Sequence, residues 1–144
     1  MASPTKEQER AILQRFMKEE PLETLQSVCT REDILALQKQ AKEIYIHPVL
    51  LDYMIDLVQV TRSWPNIDMG VSPRGSLALV RAVRAYALVR GGAYVVPEDI
   101  KTVAVPVLAH RLQLSGSVGS TDAQKKAMTD VLSSVALPTE DWSK

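Results

Sequence analysis

Apolar residues recur along most of the chain at the spacing of amphipathic helices rather than of strands. The clearest case follows His47-Pro48, where apolar residues occupy positions i, i+1, i+4, i+7 and i+8: Leu50, Leu51, Met54, Leu57 and Val58. Proline disfavours helical geometry in the residue before it and fits the first turn of the next helix. A helix is therefore predicted to begin at Pro48.

Two helices are predicted before this one. Thr5 and Gln8 have the spacing of a capping box, which predicts a first helix from about Thr5 to Glu19, ended by Pro21. Thr30 is the expected N-cap of a second helix that turns Ile34, Leu37, Ala41 and Ile44 inward. The connector between the two helices carries three aliphatic residues that we expect to pack against the core: Leu22, Leu25 and Val28.

The segment from Pro73 to Arg90 is apolar around almost its whole circumference, and Gly91-Gly92 follows it as a C-terminal cap. This pattern predicts a central, buried helix. At roughly 100° per residue, Arg74, Arg81 and Arg84 fall within a sector of roughly 80°. The predicted buried helix therefore has one basic face.

The rest of the chain predicts two more helices. After the short extended link Tyr94–Val96, Pro97 begins a fifth helix in which Pro106 predicts a kink or a break. Thr121 and Gln124 form a second capping box, at the start of a last helix. The predicted fold class is all-α, a helical bundle of about five to six helices.

Composition and charge narrow the possible functions. A length of 144 residues with 46% hydrophobic content is typical of one globular domain with one core. Seventeen basic residues balance seventeen acidic ones, so no overall field draws the chain to nucleic acid or to an anionic membrane. The single cysteine, the lack of a secretory signal and the lack of a membrane-spanning apolar run lead us to expect a cytoplasmic protein.

Catalytic motifs are missing from the chain. It contains no glycine-rich phosphate loop followed by Lys and Ser or Thr. His47 and His110 are far apart and lack partners at metal-ligand spacing, so we nominate no metal site. Cys29, expected to be a half-buried thiol, has no base near it in sequence. We therefore predict no catalytic residue and no enzymatic activity from this chain alone.

Arg74 is the strongest candidate for a binding residue. It follows Ser72-Pro73 at the first turn of the predicted helix, where backbone amides and the helix dipole favour an anion such as phosphate. Arg81 and Arg84 are further candidates for contacts with the same ligand. For these two, ion pairs with acidic side chains or a solvated helix edge explain the pattern equally well.

Several of these segments resemble one known family. Ser72-Pro73-Arg74, Arg81-Ala82, Arg84-Ala85, Tyr94 to Lys101 and Pro106 to Leu112 are similar to the carboxy-terminal helical lid of MoxR-type AAA+ ATPases, relatives of the magnesium-chelatase ATPase subunit. The resemblance extends from about Thr5 to Leu114. Two positions depart from the family pattern: Val71 stands where a small residue is common, and Val96 replaces a hydroxyl residue that usually caps the next helix, so a weaker cap is expected there.

The resemblance implies a division of the chain and a role for one arginine. Residues 1–20 would be the helix that leaves an AAA+ core, 21–114 the helical lid, and 115–144 a connector, a closing helix and a tail. The Walker A, Walker B and sensor 1 elements would precede Met1 in a parent protein. Arg74 would be the sensor 2 residue, which reaches the terminal phosphate of ATP at the boundary between lid and core.

The resemblance also implies partners. The AAA+ core of the same parent chain would be the partner of this segment. The parent would use ATP and Mg, form a ring-shaped homo-oligomer, and remodel a protein client in a chaperone-like way. Proteins with von Willebrand factor A domains are the client class that the family suggests, whereas membranes and nucleic acid are not expected partners. The alternative is a free-standing helical adaptor whose basic helix face binds an acidic protein surface or nucleic acid.

Overall fold

The computed structural model describes residues 3–17, 22, 25–116 and 120–139. The chain divides into two compact units, Met1–Ile34 and Leu35–Lys144. Within the described residues there are six α-helices, one short 3-10 helix and two short strands. They are α1 (Lys6–Phe16), α2 (Arg31–Glu43), α3 (Pro48–Ser63), β1 (Ile67–Met69), α4 (Pro73–Val89), α5 (Pro97–Leu108), the 3-10 helix (Ala109–Arg111), β2 (Gln113–Leu114) and α6 (Thr121–Ser134). The predicted all-α fold class is confirmed.

The first helix begins with the predicted capping box. The backbone N–H of Thr5 donates to Oε1 of Gln8 at 2.9 Å, and the N–H of Gln8 donates to Oγ1 of Thr5 at 3.4 Å. The helix ends at Phe16, three residues before the predicted Glu19, which lies outside the described residues together with Pro21. Two orphan amides at its start are thus satisfied by side chains.

The connector after α1 does not pack as expected. Leu22, Leu25 and Val28 are exposed, with Val28 at 98% of its full accessibility, so that prediction was wrong. Residues spaced three apart share one side only in a helix, and the described part of this connector is not helical. Cys29, expected to be half-buried, is also exposed.

The second helix has the predicted cap but only part of the predicted inner face. The N–H of Thr30 donates to Oδ2 of Asp33 at 2.8 Å, and the N–H of Asp33 donates back to Oγ1 of Thr30 at 3.1 Å. The hydrogen bond from the Thr30 backbone lowers the pKa of Asp33. Ile44, just beyond the helix, is buried, whereas Ile34 and Leu37 are exposed, so the prediction was wrong for those two residues.

The core of the second unit is formed by α3, α4, α5 and α6. Its fully buried large side chains include Leu50 and Leu57 of α3, Leu79 of α4, Ile100 of α5 and Met128 of α6. The expected core residue Leu51 is 42% exposed, because it lies on the outer side of α3. These four helices therefore supply most of one continuous core.

The fourth helix is buried along one stripe and not around its circumference. The buried residues recur every fourth position: Gly75, Leu79, Val83 and Ala87. Leu77, Tyr86 and Val89 are exposed, so the prediction of a wholly buried central helix was wrong. Neighbouring elements cover one side of α4, and apolar composition alone does not reveal how many sides are covered.

The sequence analysis predicted helices and no strand pairing, so it missed a short antiparallel sheet. β1 pairs with β2, with Ile67 opposite Leu114 and Met69 opposite Gln113. Ser115 extends the contact by donating its hydroxyl hydrogen to Oδ1 of Asp68. Strands of two and three residues are too short to show alternation, so their pairing becomes visible only in three dimensions.

The last two helices begin or end differently from the prediction. The fifth helix is not broken at Pro106; it continues to Leu108 and then tightens into the 3-10 helix. The N-cap of α6 is Ser120, whose Oγ accepts from the N–H of Ala123 at 3.5 Å. Gln124 does not complete a capping box, because its side chain donates to the carbonyl of Leu112 at 2.8 Å.

Candidate functional site

The segment that leads into α4 is held against the end of α3. Thr61 is fully buried; its Oγ1 donates to the carbonyl of Val58 at 2.6 Å and accepts from the N–H of Val71 at 3.0 Å. Nε of Arg62 donates to the carbonyl of Val71 at 3.0 Å. Both backbone polar groups of Val71 are therefore bonded to α3, which fixes the entry of the chain into α4.

Two glycines permit this close approach. A Cβ added to Gly70 would lie 2.7 Å from the carbonyl oxygen of Thr61 and from the amide nitrogen of Arg62. A Cβ added to Gly75 would overlap the side chain of Val71 and lie 3.3 Å from Cδ of Arg111. The backbone at Gly70 is therefore packed against α3 as closely as glycine allows, and Gly75 leaves room for the side chains of Val71 and Arg111.

Arg74 lies in the first turn of this fixed helix start. Its side chain is exposed and makes no ion pair with the residues that the structure describes. The hydroxyl of the N-cap, Ser72, makes no capping hydrogen bond. The N–H groups of Gly75 and Ser76 both donate to the carbonyl of Ser72, at 2.8 and 3.2 Å. The helix start thus combines a positive dipole end, an uncommitted hydroxyl and an unpaired guanidinium.

Two further arginines lie near this helix start, and the sequence analysis did not nominate them. Arg62 donates through Nε to the carbonyl that directly precedes Ser72. Arg111 donates through Nε to the carbonyl of Val107 at 3.1 Å, and its aliphatic stem passes beside Gly75. Each guanidinium has four more N–H donors. Arg62 could have been suspected, since it precedes the loop that leads to Arg74, whereas Arg111 comes close only through the tertiary fold.

The structure separates Arg81 and Arg84 from Arg74. These two line a cleft of about 770 Å³ between α2 and α4, and Arg74 does not. Arg81 and Arg84 lie about 10 and 15 Å from Arg74 along the helix axis, at 1.5 Å per residue. The basic sector of α4 therefore contributes side chains to two separate surfaces, the start of the helix and the cleft.

The other end of α4 is closed by structural interactions. Gly91, at φ +80°, and Gly92 return hydrogen bonds to the carbonyls of Leu88 and Ala87, as in a Schellman motif. Arg90 binds Asp99 through two hydrogen bonds, Nε to Oδ1 at 2.8 Å and a terminal nitrogen to Oδ2 at 3.1 Å. These hydrogen bonds raise the pKa of Arg90 above its ordinary value.

Asp99 also compensates for the weak cap expected at Val96. The valine side chain makes no capping hydrogen bond. Instead, Oδ2 of Asp99 accepts from the N–H of Val96 at 2.9 Å. Asp99 is only 1% exposed, so one buried carboxylate joins the end of α4 to the start of α5.

The remaining candidate residues do not form a reactive group. His47 caps α3, with Nδ1 accepting from the N–H of Val49 at 3.3 Å, and His110 is exposed in the 3-10 helix. Across the described ranges, no three His, Cys, Asp or Glu side chains lie close enough to hold a metal ion. None of the helices seen there is both long and apolar enough to cross a bilayer.

Comparisons with protein families and with curated sequences both find related proteins. A family model described as the AAA lid domain matches residues 59–132. The protein YeaC of Bacillus subtilis is 35% identical over 141 residues, which cover 97% of this chain and 44% of YeaC. The chaperone MoxR1 of Mycobacterium tuberculosis is 37% identical over 145 residues, covering 94% of this chain and 38% of MoxR1.

A solved structure shares the fold over nearly the whole chain. A presumed ATPase from Cytophaga hutchinsonii superimposes with a TM-score of 0.80 at 26% identity, covering 96% of this chain and 45% of that one. The chain thus spans less than half the length of these relatives.

Proposed function

Because this chain belongs to the AAA lid domain family, and its relatives include MoxR proteins, we propose that it is the lid of a MoxR-type AAA+ ATPase in which Arg74 is the sensor 2 residue. In this role, the guanidinium of Arg74 contacts the terminal phosphate of ATP at the boundary between lid and core. The AAA+ core would supply the remaining nucleotide contacts and Mg. The lid would pass the nucleotide state on to the remodelling of a protein client in a ring-shaped oligomer.

The observation that carries this proposal is an unpaired cation at the positive end of a helix. A positive charge there is disfavoured by the helix dipole, by about 0.3–1 kcal/mol. Arg74 has no ion pair with a described residue to offset that cost. An anion bound at the helix start would be attracted by both the dipole and the guanidinium, which is the arrangement that a phosphate requires.

The attachment of α4 to α3 supports a role in catalysis and not merely in binding. A cation stabilises the charge that develops during phosphoryl transfer only if it is held in place beforehand. The hydrogen bonds of Val71 to Thr61 and Arg62 fix the start of α4. A displacement of Arg74 on hydrolysis would therefore move α3 and α4 together, which gives the lid a way to report nucleotide state.

The test is ATP hydrolysis by the full-length ATPase that carries this lid. We expect Arg74→Ala to lower kcat by about a hundredfold, the usual effect of removing one donor that stabilises the transition state. Arg81→Ala is the matched control, since it removes the same side chain from the same helix about 10 Å away. Wild-type turnover in the Arg74 variant, with the lid folded, would contradict the proposal.

The adaptor hypothesis makes a different prediction for the same pair of variants. A free-standing adaptor would bind an acidic partner in a manner that depends on Arg81 and Arg84 and ignores nucleotide. An Arg74→Ala variant with unchanged ATP affinity and turnover, beside an Arg81→Ala variant that loses partner binding, would favour the adaptor.

A further inference from the structure

The cleft between α2 and α4 has one wall from each helix, and both walls carry positive and apolar side chains. Its α2 wall consists of Gln38, Ala41 and Lys42, which recur at i, i+3 and i+4. Its α4 wall consists of Leu77, Val80, Arg81, Arg84 and Ala85. Residues at this spacing form one stripe along each helix. Two helical stripes thus enclose a volume of about 770 Å³.

The described lining of the cleft is positively charged, and its cations form no ion pair with a described residue. Lys42, Arg81 and Arg84 lie on it, and no carboxylate is among the described residues that line it. None of the three forms an ion pair within the described part of the chain. Nε of Arg84 is buried and has no hydrogen-bond partner there. A buried donor without a partner is unfavourable, so a carboxylate toward which the guanidinium could turn would restore a hydrogen bond.

Apolar side chains separate these charges. Leu77 is 58% exposed although it belongs to the apolar pattern of α4, and Val80 is half-buried beside it. Ala41 and Ala85 add small apolar surface on the two opposite walls. A complementary ligand therefore carries carboxylates and an aliphatic or aromatic group together.

We propose that this cleft docks an acidic peptide segment of a partner protein. Carboxylates of the segment bind Arg81, Arg84 and Lys42, one of them accepting a hydrogen bond from the guanidinium of Arg84 as that side chain turns toward it, while an apolar side chain packs on Leu77 and Val80. From Leu77 to Ala85 the wall is about 12 Å long at 1.5 Å per residue. That length holds about three to four residues of extended chain.

The chemistry of the cleft favours a peptide over other anions. Small-molecule sites bury about 70–90% of their ligand, whereas this cleft leaves its wall residues Leu77 and Arg81 exposed. Single-stranded nucleic acid binds by stacking bases on aromatic side chains, and none of the described residues that line the cleft is aromatic. The inference does not depend on the role of Arg74, which lies outside the cleft.

The test is a titration of the isotope-labelled 144-residue chain, followed by NMR, in about 0.15 M salt, where long-range attraction is screened. The probe is the end-capped peptide Glu-Glu-Leu-Phe-Glu-Glu, compared with the same peptide with Gln in place of each Glu. We expect the acidic peptide to shift the amide signals of Gln38, Lys42, Arg81 and Arg84, with an affinity at least about tenfold above that of the Gln peptide.

Variants assign the binding to the cleft. The double variant Arg81→Gln/Arg84→Gln should lower the affinity for the acidic peptide by about tenfold or more. Leu77→Ser, which leaves the charge of the cleft unchanged, should lower it by a similar factor. Arg10→Gln/Arg15→Gln is the matched control, because it removes the same charge from exposed positions of α1. Lys42→Gln, at an exposed position, gives a second reading if the double variant fails to fold.

Three results would overturn the proposal. The first is no shift with the acidic peptide up to about 1 mM, the concentration of a very weak complex. The second is an equal loss of affinity in the Arg10/Arg15 control, which would mean attraction by net charge alone. The third is displacement of the peptide by oligo-dT with the same dependence on Arg81 and Arg84, which would make the cleft a nucleic-acid site. None of these results bears on ATP hydrolysis, so the nucleotide role of Arg74 is tested separately.

Discussion

The two ends of α4 each carry an exposed arginine, and the two arginines differ in their partners and in the end of the helix dipole at which they lie. At the C-terminal end, Arg90 is bonded to a buried carboxylate at two points and lies where the helix dipole favours a cation. At the N-terminal end, Arg74 is exposed, lies where the dipole disfavours a cation, and has no ion pair with a described residue. The first arrangement stabilises the fold, and the second leaves a binding site open.

The surroundings of the two ends reinforce this difference. Both are fixed by backbone hydrogen bonds, through Gly91 and Gly92 at one end and through Val71 at the other. Rigidity alone therefore does not distinguish structure from function. What distinguishes them is whether the charged group already has its partner inside the protein.

The largest effect is expected from breaking the interactions of Asp99 at the C-terminal end of α4. Asp99→Ala removes the partner of Arg90 and the acceptor for the N–H of Val96, and should lower the free energy of unfolding by about 2–4 kcal/mol. Urea denaturation at neutral pH would measure the loss.

Asp122→Ala is the control for this change. It breaks an exposed ion pair with Lys125, at 3.7 Å, and should cost under about 0.5 kcal/mol. Equal losses in the free energy of unfolding from Asp99→Ala and Asp122→Ala would mean that burial does not strengthen the interactions of Asp99.

A smaller loss is expected from disturbing the fixed start of α4. Gly70→Ala places a Cβ against the backbone of Thr61 and Arg62, which cannot move aside as a side chain can. We expect a loss of about 1–3 kcal/mol in the free energy of unfolding, typical of overpacking. The same variant should lower hydrolysis by the full-length protein, because Arg74 would be displaced.

Gly116→Ala serves as the control for a glycine with space around it, since no atom of the described residues lies within 4 Å of its added Cβ. Its cost should come only from its φ of +65°. A Gly70→Ala protein as stable as wild type would show that the segment 70–72 can move away from α3.

The third prediction concerns Gly91, at the C-terminal end of α4. Gly91 has φ +80° and open space around it, so Gly91→Ala should cost about 1 kcal/mol through backbone conformation alone. Gly91→Asn is the matched variant, since asparagine tolerates the left-handed region better and should recover part of the loss. Equal thermal stability of wild type and Gly91→Ala would exclude a structural need for glycine at this end.

The sequence predicted the ends of α4 better than its surroundings. Pro73 and Gly91-Gly92 are local signals, because proline fixes its own φ and glycine permits a positive one, and both bounds were confirmed to within a residue. How much of the helix is buried depends instead on neighbours distant in sequence. The exposure of Leu77 and the bonding of Gln124 to Leu112 are results of packing that no local pattern encodes.

The same distinction applies to the candidate site. Arg74 was identifiable from the sequence, because the helix start and the charge are adjacent in the chain. The division of the basic sector between the helix start and the cleft with α2 was not, since helical periodicity placed all three arginines on one face. The proximity of Arg111 to Gly75 likewise depends on the turn after α5.

The smallest predicted change in stability is at the N-terminal end of α4, and it best separates the function of Arg74 from its contribution to stability. Arg74→Gln removes a positive charge from the first turn of α4, so the unfavourable interaction with the helix dipole disappears. We expect the free energy of unfolding to rise by about 0.3–0.5 kcal/mol at low ionic strength, and the gain to shrink as salt screens the charge. Thermal unfolding of both proteins across a salt series would measure it.

Glu98→Gln provides the opposite change at a comparable position, because it removes a favourable negative charge from the exposed first turn of α5. That variant should lose a few tenths of a kcal/mol, with the reverse dependence on salt. Arg74→Gln could instead lower the free energy of unfolding by about 1 kcal/mol or more. The guanidinium would then stabilise the fold, and the two ends of α4 would not differ as described. A gain in stability together with a loss of ATP hydrolysis is the combination that a residue kept for phosphate binding should show, since its charge opposes the helix that holds it.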